Sequence, residues 1–121
     1  MNLKIGNDII ETKRIEKLYK KYPNKFKNRV FSKNEIMYCE SKGENKFQSY
    51  AGRFAAKEAI FKAISESLEN KFLITWKDIE ILNRNDGKPY VVLKNVGKIK
   101  DIDISISHVK EYAIATAIVI L

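Results

Sequence analysis

Two acids sit where apolar residues dominate: Asp8 in Ile5-Gly6-Asn7-Asp8-Ile9-Ile10-Glu11, and Glu58 in the stretch from Gly52 to Ala63, whose centre reads Ala55-Ala56-Lys57-Glu58-Ala59-Ile60. Burying a lone carboxylate is unfavourable unless a cation, a metal or hydrogen-bond donors compensate it. Asp8 and Glu58 together therefore suggest a shared divalent-metal site. Lys62 follows Glu58 by four residues, the spacing of surface neighbours on a helix, which suits an acid and a base serving one polar site. Taken alone, that pair has a commoner explanation, an intrahelical ion pair contributing roughly a few tenths of a kcal/mol. With one histidine, His108, and one cysteine, Cys39, the chain cannot build a structural zinc site. That leaves oxygen ligands and a hard cation such as Mg²⁺.

Other chemistries fit poorly. A hydrolase triad would need His108 beside a serine, but Ser107 and Ser105 alternate to the other face of the strand that ends at His108. There is neither a G-x-x-x-x-G-K-[ST] loop nor a G-x-G-x-x-G turn. Metal-assisted phosphate chemistry remains, with Asp8 and Glu58 holding Mg²⁺ on a phosphate or pyrophosphate and Lys62 neutralising charge on the leaving oxygens. His108 could contact a phosphate or a base ring, although an isolated histidine at a strand end is more commonly a surface or structural residue.

The length of 121 residues suits a single domain over 1–121. With 23 Lys and Arg against 15 Asp and Glu, the formal net charge of +8 predicts an anionic partner. Nucleic acid, a phosphorylated small molecule, an acidic protein and a membrane surface all qualify. Between Lys13 and Arg29, eight basic residues face one acid, Glu16. A solvated face is the usual meaning of such a run. The lone Cys39 excludes an intrachain disulfide and fits a reducing compartment. No signal-like N-terminal stretch is present, and the apolar run from Ala113 to Leu121 is too short to span a bilayer. A soluble, cytoplasmic protein is expected.

The elements that must carry these residues follow from periodicity. Leu3 to Ile9 predicts a strand with a bend at Gly6, and Ile10 to Tyr22 a helix ended by Pro23-Asn24, with Ile15, Leu18, Tyr19 and Tyr22 toward the core. Arg14, Lys17 and Lys21 share another face of that helix. Ser32-Lys33-Asn34-Glu35 is a capping box opening a second helix. Residues 50–68 wind into a mostly buried helix whose apolar positions cover most of its circumference, with Arg53 and Lys57 in one polar notch and Glu58, Lys62 and Ser65 in another. Asp78 to Leu82 and Tyr90 to Leu93 form a hairpin around Asp86-Gly87. Asp101 to Ser107 alternates strictly, and Ala113 to Ile120 follows as a last strand whose Ala113, Ala115 and Ala117 offer a close-packing face. Helices first and strands later imply an α+β fold, an antiparallel sheet packed with a long central helix.

The ordered motifs I-G-N-D-I-I-E (5–11), R-V-F-S-x-x-E (29–35), A-G-R-F-A-A-K-E-A (51–59) followed by Lys62, D-I-E-I (78–81), D-G-K-P-Y (86–90) and S-I-S-H (105–108) span nearly the whole chain. The chain resembles the holo-acyl-carrier-protein synthases, the short-chain 4′-phosphopantetheinyl transferases. The resemblance implies transfer of the phosphopantetheine arm of coenzyme A to a serine of an apo carrier protein, with release of adenosine 3′,5′-bisphosphate. Asp8 and Glu58 match the family's Mg²⁺-binding acids, and Lys62 a lysine at the phosphates. Lys57 is a further candidate for proton transfer or phosphate contact. Arg53, the Gly87-Lys88-Pro89 turn and Ser107-His108 correspond to parts of the coenzyme A site. Arg14, Lys17 and Lys21 match the face that receives the acidic acyl carrier protein. A homotrimer with sites at subunit interfaces is implied, and the small side chains of Ala113, Ala115 and Ala117 would permit close packing between its copies.

Two departures stand out. Asn7 replaces the usual threonine before the aspartate, and no glycine lies between Gly52 and Gly87, where relatives commonly carry a glycine-rich turn at 65–71. The competing reading is a basic module that binds nucleic acid or an acidic protein without catalysis. Its signature would be aromatics interleaved with cations on one exposed face. Tyr19 and Tyr22, on the apolar side of their helix, argue against nucleic acid.

Overall fold

Alanine makes the centre of this molecule. Helix α4 (Lys46–Ile64) buries Ala51, Ala55, Ala56, Ala59 and Ala63 alongside Tyr50, Ile60 and Ile64. Its burial runs around the helix instead of along one stripe, as expected of an element enclosed on several sides. The computed structural model describes residues 2–65 and 74–121. The departure noted at 65–71 lies, apart from Ser65, outside the described residues.

Three antiparallel strands pack on α4 in the order β1 (Leu3–Glu11), β5 (Tyr112–Ile120) and β4 (Asp101–His108). Small side chains set the approach. Ala113, Ala115 and Ala117 on β5 are buried, and a Cβ built on Gly6 would lie 2.0 Å from the Ala59 carbonyl oxygen and 2.8 Å from the Ala63 amide nitrogen. Gly6 is therefore the residue that lets β1 touch the helix backbone. It marks a close approach and not a bend.

The alanine face expected to mediate assembly is thus occupied by the chain's own helix. The opposite face of the sheet carries Leu3, Ile5 and Ile9 from β1 and Tyr112, Ile114 and Ile118 from β5, all exposed, with Ile5 at 68% and Ile9 at 63%. Alternation along a strand separates the two faces.

The remaining elements wrap the other side of α4. Helix α1 (Thr12–Lys21) follows β1 directly, because pairing with β5 holds Ile10 and Glu11 in the strand that the sequence pattern ended at Ile9. Pro23 ends α1 and also opens α2 (Pro23–Val30), since proline at the first helical position forfeits no hydrogen bond. Helix α3 (Lys33–Glu40) starts at the expected Ser32–Glu35 capping box. Strands β2 (Ile79–Asn83) and β3 (Pro89–Leu93) form the predicted hairpin. Tyr22 departs from expectation: it lies past the end of α1 and is 46% exposed, while Ile15 and not Tyr22 anchors the helix in the core.

Candidate active site

Asp8 alternates with Gly6 and Ile10 on the inward face of β1, so the close approach at Gly6 carries its carboxylate to α4. There Lys62 Nζ lies 3.0 Å from Asp8 Oδ1 and donates also to the Asn7 carbonyl at 3.0 Å. Lys62 thus pairs across elements, and the expected intrahelical pair with Glu58 is not formed among the described residues. Glu58 completes the group. Burial first, and then the neighbouring Asp8 charge, hold its carboxyl above the usual range, with Lys62 and Arg14 pulling the other way. Asp8 and Glu58 thus lie close enough to feel each other's charge, with Lys62 beside them. No third His, Cys, Asp or Glu joins them among the described residues.

The structure corrects the reading of Lys57. Its ammonium is 0% exposed and donates to Glu35 Oε1 at 2.7 Å, the Val30 carbonyl at 2.7 Å and the Trp76 carbonyl at 3.1 Å. Glu35, also 0% exposed, accepts from the Ser32 amide at 2.8 Å and the Ile81 amide at 2.9 Å. Lys57 is a structural cation tying α2, α3 and β2 to α4. With its protons spent on these partners it reaches no phosphate and relays no proton.

A second site lies elsewhere on α4. A cleft of about 360 Å³ opens between α3, α4, the hairpin and the end of β4, with Arg53, Gly87, Pro89 and His108 in its wall. Arg53 is only 5% exposed. Tyr38 lies under its guanidinium, 4.0 Å from Cζ to the ring centroid, and Asn83 Oδ1 accepts from its Nη2. Gly52 also lines the cleft, where a Cβ would meet Ile106 at 3.1 Å. Four of the expected coenzyme A residues therefore gather here. Lys88 and Ser107 do not. Lys88 reaches toward Asp103 at 3.8 Å, and Ser107 falls on the strand face opposite Ile104 and Ile106. Asn83, Tyr38 and Lys42 in the cleft wall had no signature in residue spacing.

The two sites face away from each other. Ser49 in the cleft wall and Glu58 are nine residues apart on one helix, two and a half turns, so they point about 180° apart. Arg14, Lys17 and Lys21 are exposed on α1, and Arg14 lies close enough to influence Glu58. Beside them, Leu18, Tyr22, Phe26 and Val30 form an apolar groove rimmed by Lys25 and Arg29.

A family model described as the 4′-phosphopantetheinyl transferase superfamily matches residues 4–117. The chain belongs to this superfamily. It is 47% identical to the holo-[acyl-carrier-protein] synthase of Protochlamydia amoebophila, over 98% of each chain, and 42% identical to that of Ruminiclostridium cellulolyticum, over 100% of this chain and 94% of the other. The crystal structure of a holo-(acyl-carrier-protein) synthase from Bacillus anthracis in complex with CoA superposes with a TM-score of 0.79 at 37% identity, covering 96% of this chain and 94% of that one. The Helicobacter pylori enzyme in complex with coenzyme A gives 0.80 at 34% identity, over 95% and 98%. This transferase is therefore an enzyme of the α+β class expected from its sequence, and the reading as a binding module without catalysis falls away.

Proposed function

We propose that this transferase moves the 4′-phosphopantetheine group of coenzyme A to a serine hydroxyl of an apo acyl carrier protein, releasing adenosine 3′,5′-bisphosphate. The observation that carries the reading is the convergence of Asp8, Glu58 and Lys62 from β1 and α4. The donor set fits Mg²⁺: two carboxylates, no nitrogen or sulfur ligand, and a shell otherwise left to water and phosphate oxygens. Burial first, and then the neighbouring Asp8 charge, raise the Glu58 pKa, and a cation between the two acids would favour the charged carboxylate that both disfavour. When bound, the ion would supply positive charge to the pyrophosphate.

The residues divide the work. The carrier serine oxygen forms a bond to the β-phosphorus as the bond from that phosphorus to the bridging oxygen breaks, and the electron pair leaves with adenosine 3′,5′-bisphosphate. Lys62 places an ammonium where charge grows on the phosphoryl oxygens. Burial of Lys57 removes it as the base and leaves Asp8 or solvent to take the serine proton. Arg53, His108 and the Gly87-Pro89 wall would hold the nucleotide end. Arg14, on the basic face of α1, lies close enough to influence Glu58, so an acidic carrier docked on that face would present its serine near the two carboxylates.

We further propose a homotrimer. A cleft and a carboxylate pair on opposite sides of one helix serve a single coenzyme A most simply when each comes from a different copy. The exposed isoleucines of β1 and β5 give such copies an apolar surface to share. A cytoplasmic, reducing setting suits Cys39, a buried thiol whose pKa burial pushes up to about 11, where it is inert. No helix is long and apolar enough among the described residues to cross a membrane. The test of the reaction is direct: with Mg²⁺, coenzyme A and an apo carrier protein, the carrier gains the mass of phosphopantetheine. A carrier of unchanged mass overturns the proposal.

A further inference from the structure

Arg53 has an unusual partner for a buried cation. Among the described residues no carboxylate forms an ion pair with it, and its Nε has no hydrogen-bond partner. Its oriented contacts are the Tyr38 ring below and Asn83 Oδ1 at Nη2. The other end of the same amide, Asn83 Nδ2, donates to the Gly87 carbonyl at 2.9 Å. One uncharged side chain therefore joins the helix cation to the turn that forms the opposite cleft wall. The turn is fixed again by Gly87 N to the Arg84 carbonyl at 2.9 Å and by Lys88 N to Asp86 Oδ1 at 3.0 Å.

Buried guanidinium groups are ordinarily neutralised by carboxylates, often through two parallel hydrogen bonds. An aspartate at position 83 has the same reach and would make that ion pair. It would also cancel the charge of Arg53 and lose the donor to Gly87. An asparagine keeps the acceptor that aims the guanidinium and the donor that anchors the turn, and adds no charge. The positive charge of Arg53 is then left to the cleft, where Lys42 and His108 also stand.

We propose that Asn83 is a positioning residue that aims Arg53 and fixes the Gly87 turn while reserving the arginine's charge for a phosphate of the incoming nucleotide. The inference rests on the coenzyme A reading given above. It differs from a merely structural role in one respect: fold stability and anion affinity should move in opposite directions when the amide becomes an acid.

The experiment compares wild type, Asn83→Asp and Asn83→Ala by thermal melting without ligand, by calorimetric titration with coenzyme A and with adenosine 3′,5′-bisphosphate, and by steady-state kinetics. Asn83→Asp is expected to melt at or above the wild-type temperature while binding both ligands about tenfold or more weakly, since a charge-assisted contact is lost. Its KM for coenzyme A should rise by a similar factor, with a much smaller fall in kcat. Asn83→Ala should melt lower and lose less affinity than Asn83→Asp, because Arg53 keeps its charge. Wild-type affinity in Asn83→Asp, or a melting temperature that falls together with affinity in that variant, overturns the inference alone. A wild-type protein that binds neither ligand overturns the coenzyme A reading and this inference with it.

Discussion

Lys62 turns from α4 to Asp8 on β1, 3.0 Å away, and not to Glu58 four residues back on its own helix. The consequence is an uneven pair of acids. Asp8 has a close counter-ion, whereas Glu58 is half-buried beside Asp8 with its pKa raised. A partly buried acid beside a second carboxylate favours whatever brings positive charge to it.

That imbalance has a sign that can be measured. The folded pKa of Glu58 lies above the ordinary 4.5, so its charged form opposes folding at neutral pH, and the penalty is relieved as pH falls through the folded value toward 4.5. Glu58→Gln should therefore melt at or above the wild-type temperature at pH 7 without metal, with the difference closing in acid. The same change, like Asp8→Asn, should lower transfer activity by roughly a hundredfold or more, since even groups behind a metal's direct ligands matter 10–100-fold. Full turnover by either variant would remove these acids from the site.

Lys62 should act on the chemistry more than on binding. A cation aimed at charge that develops in the transition state lowers the barrier selectively. Lys62→Met is expected to depress kcat by a larger factor than it raises KM for coenzyme A. Steady-state kinetics showing a rise in KM alone would limit Lys62 to holding substrate.

Lys57 makes the contrasting case. Removing its ammonium leaves Glu35 buried and unpaired, so Lys57→Met should destabilise the fold by about 3–5 kcal/mol in chemical denaturation. Replacing both residues together with apolar side chains should recover part of that loss. A single variant as stable as wild type would contradict the buried pair.

The difference between Lys57 and Glu58 was not legible in sequence. Both are charged neighbours in one apolar motif, and what separates them is Glu35, 22 residues from Lys57 and reached only when α3 packs on α4. Local signals fared better. The Ser32–Glu35 capping box and the Asp86-Gly87 hairpin depend on adjacent residues and appear as expected. Pairing of β1 with β5 extended the first strand to Glu11, a tertiary effect that overrode helical periodicity at Ile10. The small side chains of the β5 alanines do allow close packing, but the element packed on them is α4 and not another copy, which only the topology reveals. Asn83 left no trace because its role depends on Arg53, 30 residues away.

The basic helix can be tested through salt. Arg14, Lys17 and Lys21 are exposed, so changing all three to Glu should leave the core intact. Attraction to an acidic carrier is screened over about 8 Å at physiological ionic strength, so carrier affinity should fall as salt rises. The triple variant should show a carrier KM about tenfold or more higher, with that for coenzyme A nearly unchanged. Equal effects on both substrates would return these residues to a solvated face.

The most direct measurement concerns the two sites that point away from each other on α4. Asp8→Asn destroys the carboxylate pair and leaves the cleft; Arg53→Ala, assayed at low coenzyme A, impairs the cleft and leaves the carboxylates. If each working site joins one half from each of two copies, mixing the two variants under conditions that allow subunit exchange restores intact sites. Random assembly in a closed ring predicts about one quarter of wild-type carrier modification. A mixture no more active than its separate components would contradict a site shared between subunits.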